Sequence, residues 1–318
     1  MNFTEDMLQR YAQPLGDTEK EKCKRAIREI RDALCKIGYV YEKDDIELLE
    51  SDTFAYSTRI KNSISSESIH IFIQGSYANN TCVRNESDVD IAIVRDDLYD
   101  YAFGTKYNLF TDNRKAEAMV LKDTVEKVLR STFPYQVTRG NKSIKVKGNS
   151  NRKDADTVPC ISMHYYYLSD YQNYSSYKDG IIIFGDDGSI TRNFPKQHIA
   201  NGKAKNSRTN FYYKKMVRII KKIRHIMEDC LYDSAKSVSS FGLESLLWNI
   251  PDEYFTKWYT YGYAFKEIVD YLYKNKESLS VYKEANGIKP LCASQKEIEN
   301  YKAFIISLKN FFVFVNPK

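Results

Sequence analysis

The stretch GSYANNTCVRNESDVDIAIV, Gly75 to Val94, decides how the rest of the chain is read. Before it runs SIHIFIQ, Ser68 to Gln74, where Ile69, Ile71 and Ile73 alternate with His70 and Phe72 in the two-residue period of a strand. The segment Asp88 to Val94 alternates too. Val89, Ile91 and Ile93 fall on one face, Asp88 and Asp90 on the other. Two carboxylates side by side repel each other unless a cation sits between them, and hard divalent ions such as Mg²⁺ take such oxygen ligands. Between the two strands, Gly75 lets the backbone approach a phosphate closely, and Ser76 offers a hydroxyl and a main-chain N–H. An isolated Asp-x-Asp reads as two solvated aspartates on a surface strand. Strand, Gly-Ser, polar spacer and apolar strand in this order are what triphosphate chemistry needs.

A third carboxylate comes from DADTVPCI, Asp154 to Ile161, a further strand in which Pro159 points to a sheet edge. Asp154 and Asp156 share one face, and a neighbouring strand would bring either beside Asp88 and Asp90. Three carboxylates can hold two metal ions, one shared by the triphosphate and one lowering the pKa of the attacking hydroxyl.

Outward from this centre, Cys23, Ala26, Ile27, Ile30, Ala33 and Leu34 recur at helical spacing, so a long helix is expected over 17–36, capped by Asp17 and stopped by Gly38. A helix over 113–132, a strand over 143–147 and a hairpin turned by GDDG (Gly185 to Gly188) follow. The polar, basic stretch Ala200 to Arg208 reads as a linker, and beyond it helices are expected over 209–232, 240–249, 256–275 and 295–315. Strands first and helices afterwards give an α+β chain of two lobes. Residues 1–199 form a mixed-sheet core with a long N-terminal helix, and 200–318 a helical lobe. In the first of these helices Lys214, Arg218, Lys221, Lys222 and His225 form one basic stripe opposite Val217, Ile220, Ile223 and Met227. Such a stripe is either a solvated face or the source of a lysine for a triphosphate, Lys221 first and Lys222 its rival.

Composition narrows the classes. The chain has 318 residues, 48 Lys plus Arg against 42 Asp plus Glu and a net charge of +6, too small an excess to require nucleic acid without a clustered face. The six cysteines lie far apart without a CxxC pair, which excludes structural zinc and fits reduced thiols. His70, His164, His198 and His225 show no ligand or triad spacing, so each reads as a core or surface histidine. GxSxG, Walker A and HExxH motifs are absent. The N-terminus has no signal-peptide pattern and no apolar run approaches a membrane span, so a cytoplasmic protein without membrane contact is expected.

Gly-Ser, eleven residues, then DVD resembles the signature of the polymerase-β-like nucleotidyltransferases. Within them the chain resembles the cGAS/DncV-like enzymes (CD-NTases), bacterial synthases of cyclic oligonucleotide signals in anti-phage defence. The likeness extends through DTVP, NFPKQH (Asn193 to His198), NGKAKNSRTN, the basic helix and SSFGLESLL (Ser239 to Leu247). It implies a polymerase-β-like core whose helical lobe closes over the nucleotides. Gly75 and Ser76 would grip the triphosphate, while Asp88, Asp90 and Asp156, preferred to Asp154 by its spacing to Val158-Pro159, would hold two Mg²⁺, with Mn²⁺ an alternative. Ser240 falls where the family places a serine on the donor phosphates, and Phe241 where related enzymes carry a base-stacking tyrosine. Asn193 is a candidate reader of a base edge through its amide, or a turn-stabilising residue. The resemblance further implies NTP, ATP included, as substrate, a cyclic di- or trinucleotide as product, and a downstream effector protein that binds it. The enzyme is expected to be a monomer. A linear oligonucleotide synthase, an enzyme adding nucleotides to another acceptor and an inactive nucleotide-binding module are the alternatives.

Overall fold

The computed structural model describes residues 1–41, 46–83, 88–103, 106–107, 111–167 and 177–315; the end of the polar spacer, 84–87, lies outside the described residues. In chain order the elements are β1 (Asn2–Phe3), α1 (Glu5–Tyr11), α2 (Asp17–Cys35), β2 (Tyr39–Tyr41), β3 (Glu47–Leu48), β4 (Tyr56–Asn62), β5 (Ser68–Gln74) and the single turn α3 (Gly75–Ala78). Then come β6 (Val89–Phe103), β7 (Lys106–Tyr107), α4 (Thr111–Thr132), β8 (Val137–Arg139), β9 (Ile144–Val146), β10 (Ala155–Tyr166), β11 (Lys178–Phe184) and β12 (Ile190–Asn193). The rest is α5 (Pro195–Arg208), α6 (Tyr212–Asp229), α7 (Asp233–Lys236), α8 (Ser240–Trp248), α9 (Glu253–Thr256), α10 (Tyr261–Lys274), a 3₁₀ turn (Lys276–Val281), α11 (Gln295–Phe311) and β13 (Val313–Phe314).

Two compact units result. One comprises residues 16–78 and 88–197, built on a mixed sheet of order β12-β11-β10-β6-β5-β4-β2, with β9 and β8 continuing from β10. Among the described residues only β6 and β10 run parallel within it; the other pairs are antiparallel. Helix α2 packs on β4 and β5, and α4 on β6 and β10. Ile69, Ile71, Ile73, Ile91 and Ile93 are buried, as the alternation requires. On the opposite face the register aligns Phe72, Ala92 and Val158 in a second apolar cluster with Val94, Cys160, Ile181 and Ile183.

The other unit comprises 1–15, 79–87 and 198–318. Its core is helical, centred on Met216, Val217, Ile220 and Ile223 of α6, Leu243, Leu246 and Leu247 of α8, Phe265 and Ile268 of α10, and Phe304, Ile305 and Leu308 of α11. The N-terminal residues join it because Phe3 and Leu8 are buried in that core and β1 pairs parallel with β13.

Several expectations need correction. Helix α2 is capped by Gly16, and Asp17 is already its first residue. The stretch Ala200 to Arg208 is helix α5, because Ile199, Lys205 and Asn206 are buried and give its polar sequence an inner face. Strand β10 is central. Pro159 is accommodated because β9 pairs only with Ala155 to Thr157 and β11 only from Ile161 onward, so its row has a ladder partner on the β6 side alone. The cysteines are free thiols. No helix among the described residues is long and apolar enough to cross a membrane.

Candidate active site

The sheet register assembles the carboxylates. Gln74, Asp90, Asp156 and Lys145 form one row across β5, β6, β10 and β9, and Asp88, two residues before Asp90, precedes the strand on the same face. Burial, then the negative charges of Asp156 and Asp88, push the Asp90 carboxyl up to about 7. Burial and Asp88 also raise Asp156, against the pull of Lys145. Gly75 adopts φ +69°, and a Cβ there would lie 2.6 Å from Asp90 Oδ2. The glycine is therefore needed by the carboxylate itself, for a close approach and a left-handed φ that other residues avoid.

Lys145 supplies positive charge here, its Nζ 2.5 Å from Asp88 Oδ2 and 3.8 Å from Asp154 Oδ2. With Asp88 drawn onto this ammonium, no three His, Cys, Asp or Glu side chains among the described residues converge as an ion-holding cluster. The donor set still fits a divalent cation: acceptor oxygens only, on one face, with the Asp90 and Asp156 carboxyls pushed above the usual carboxylate range by burial and then by neighbouring negative charge, which such an ion would offset. Asp154 is committed elsewhere. Its Oδ1 accepts from Gly148 N at 2.7 Å and its carbonyl from Val89 N at 2.9 Å, which makes it a pin between two backbone segments.

Asn193 shares the aspartates' face, since it pairs with Ile181 of the second apolar cluster. Ile181 is level with Ser162, six residues along β10 from Asp156 (162 − 156), a rise of roughly 20 Å. The structure does not bring Asn193 beside the carboxylates.

In the helical unit three residues of the basic stripe are not on a solvated face. Lys214, Arg218 and Lys221 are buried. Arg218 donates through Nε to the Ala12 carbonyl (2.6 Å) and through Nη1 to the Asn80 carbonyl (2.5 Å). Lys221 Nζ, expected on a triphosphate, donates to Glu244 Oε2 at 2.9 Å and to the Thr81 carbonyl at 3.1 Å. Its side chain is 2% exposed and that of Glu244 1%. Burial alone would raise the Glu244 carboxyl, but Lys221 and His198, with hydrogen bonds from His198 and Thr81, hold it well below the usual carboxylate range. Lys222, the rival, is half-buried.

Ser240 is the first residue of α8; the cap is Ser239, whose Oγ accepts from Gly242 N at 2.9 Å. Ser240 Oγ accepts from Arg224 Nη2 at 3.3 Å. Phe241 is half-buried and stands outside the hydrophobic core, edge-on to His198 with ring centroids 4.9 Å apart. His198 was not distinguishable by spacing, because its partner Glu244 lies 46 residues further on. The one available signal was Glu244 itself, the single charged residue of SSFGLESLL.

The sheet sets Asp90 and Asp156 in one row with Gly75 against Asp90, and the comparisons specify the class of protein. Residues 200–313 match the family described as the cGAS/DncV-like nucleotidyltransferase C-terminal helical domain. The chain is 41% identical to a cyclic GMP-AMP synthase of Staphylococcus schleiferi, over all of this chain and 99% of that protein. It is 32% identical to a cyclic dipurine nucleotide synthase of Elizabethkingia meningoseptica, over 91% of this chain and 90% of that one. A solved Elizabethkingia meningoseptica CdnE cyclic dinucleotide synthase with GTP and Apcpp superposes with a TM-score of 0.75 at 30% identity, covering 98% of this chain and 99% of that one. The chain belongs to the cGAS/DncV-like nucleotidyltransferases.

Proposed function

We propose that the protein joins two purine nucleoside triphosphates, GTP and ATP, into a cyclic dinucleotide, releasing one pyrophosphate for each phosphodiester bond formed. The observation that carries this is the Asp90–Asp156 row with Asp88 beside it and Gly75 against it; the similarity to a cyclic GMP-AMP synthase over the full chain supports the purine choice. Asp88, Asp90 and Asp156 would hold two magnesium ions, with manganese an alternative, and Gly75 and Ser76 would receive the triphosphate. When bound, the ions neutralise phosphate charge and make the attacking hydroxyl more acidic. Asp90, kept on its strand against Gly75, presents its carboxylate in one orientation, so positioning and charge are the residues' contribution. Lys145 neutralises part of the carboxylate charge until a stronger cation competes for Asp88. Ser240 and Phe241 at the start of α8 contact the donor nucleotide, where free N–H groups and the helix dipole favour phosphate.

The product would act as a signal on a separate effector protein in anti-phage defence, in keeping with the family resemblance. Incubation of the pure protein with the four NTPs and Mg²⁺, followed by mass spectrometry and nuclease mapping of the linkage, tests the assignment. A cyclic dinucleotide of one guanosine and one adenosine unit supports it; a homogeneous purine ring overturns the base choice, and a dipyrimidine ring or a linear product replaces it.

A further inference from the structure

Strands β4, β5, β6, β10 and β11 and the start of α5 border a cavity of about 260 Å³ that lies wholly within the unit of residues 16–78 and 88–197. Its polar lining includes Arg59, His70, Asp96, Ser162, Asp179 and Lys196. Asp96 and Ser162 flank a break in the β6–β10 ladder. The register jumps there from Ile161 opposite Arg95 to Ser162 opposite Tyr99, so among the described residues Asp96, Asp97 and Leu98 have no partner on β10. A bulge of this kind re-aims side chains and is common beside functional sites.

His70 is the informative residue, being only 4% exposed. Arg59 Nη2 lies 3.3 Å from its Nδ1. A guanidinium only donates, so Nδ1 accepts and the proton of the neutral ring sits on Nε2. That N–H has no acceptor among the described residues, and the ring borders the cavity. A buried donor without an acceptor is costly, which an acceptor entering the cavity would remedy. Other donors converge with it. Lys196 Nζ donates to Asp179 Oδ2 at 2.7 Å and carries two protons more, and Arg59 Nη1 donates to Asp96. The Ser162 hydroxyl has no partner among the described residues. Both carboxylates are already held by a cation, so what the cavity lacks is acceptors. An oxyanion supplies several at once, whereas an apolar guest would leave the His70 N–H unsatisfied.

We propose that this cavity is a second ligand site, receiving a phosphate group on His70 Nε2, Lys196 and Arg59 with Ser162 Oγ as a further donor. It is separate from the row of aspartates. His70 stands four residues before Gln74 (74 − 70) and Ser162 six after Asp156 (162 − 156), roughly 13 and 20 Å along their strands. Free phosphate and the phosphate of a nucleotide share this chemistry. For a nucleotide, Tyr177 offers a platform: one face stacks on His164 with ring centroids 3.9 Å apart, and the residue is 40% exposed.

The test follows the ring signals of the four histidines by NMR in full-length protein without divalent metal, with His70→Gln assigning the His70 signal. Inorganic phosphate and AMP are titrated separately at constant pH and ionic strength. A saturable displacement of the His70 signal by inorganic phosphate assigns free phosphate, and one by AMP alone assigns a nucleotide with its base on Tyr177. In Lys196→Met the concentration for half-saturation should rise by about tenfold or more. Should that variant not fold, Arg59→Gln, which replaces a side chain 60% exposed, takes its place with the same expectation. Asp90→Asn should bind the probe as the wild type does, so a failure of the nucleotide-joining assignment leaves this site standing. A His70 signal that neither probe displaces, or an unchanged half-saturation in Lys196→Met, would overturn the proposal.

Discussion

Asp90 and Asp156 are direct register partners on the two parallel strands β6 and β10, and the Asp156 charge, after burial, pushes the Asp90 carboxyl up. Two like charges held by backbone pairing cannot move apart as they would on loops, so the sheet stores a repulsion that a bound cation relieves. Lys145, one row partner away on β9, is an incomplete answer to it because its ammonium is drawn to Asp88.

The third ligand can be decided between Asp156 and Asp154. Asp156→Asn should lower the rate of nucleotide joining by at least about a hundredfold. Asp154→Asn, whose carboxylate is bonded to Gly148 N, should lose roughly 1 kcal/mol of stability and little activity. Steady-state rates with urea unfolding of both variants check this, and the opposite order moves the ligand to Asp154.

The buried Lys221–Glu244 pair predicts a particular non-additivity. Lys221→Met or Glu244→Gln alone strands a partner away from water and should cost about 3–5 kcal/mol. The Lys221→Met/Glu244→Gln double variant should lose clearly less than the sum of the single changes. Chemical denaturation gives all three values, and additive losses would mean that the pair is not coupled.

Phe241 and Leu243 share a helix and should respond differently. Leu243 is fully buried in the helical core, so Leu243→Ala should cost about 2–5 kcal/mol. Phe241→Ala should change the melting temperature little and raise the NTP concentration needed for half-maximal rate. A sharply lowered melting temperature with unchanged NTP dependence would make Phe241 a packing residue.

His70 gives the sheet unit a pH dependence. Its burial, with Arg59 and Lys196 nearby, lowers its pKa from 6.5 to about 3. The groups facing it across the cavity are Arg59 paired with Asp96, Lys196 paired with Asp179, and His164. The unfolded chain then binds a proton that the folded chain refuses between those two values, so stability falls as pH drops below about 6.5 and goes on falling toward 3. His70→Gln should flatten this part of a melting-temperature profile, and an unchanged slope would assign the loss to other groups.

What was legible in the sequence was the part fixed by short-range pattern. Alternation in SIHIFIQ and DVDIAIV gave two adjacent strands and the face of Asp88 and Asp90, and the register bears out the adjacency and the place of Asp90. Periodicity found α2, α6 and α8 within a few residues. It failed where partners are distant. The linker over 200–208 became helix because Lys205 reaches Asp252 and Asn206 the start of α6, contacts that local composition does not announce. The pairing of Lys221, the lysine expected for a triphosphate, with Glu244 and Thr81 is not legible in the stripe because these partners meet it only in three dimensions. Pro159 looked like an edge residue because a gap between two ladder partners leaves no mark on the chain.

The central claim is tested most directly by the products of the wild-type protein and Asp90→Asn, each incubated with GTP, ATP and Mg²⁺ and resolved by mass spectrometry with pyrophosphate counted in parallel. The wild type should yield a cyclic dinucleotide with one pyrophosphate per bond, and Asp90→Asn, folded to the same melting temperature or higher, should yield neither ring nor linear dimer. A ring made equally well by Asp90→Asn, or a wild-type protein that binds both nucleotides and joins none, would contradict it.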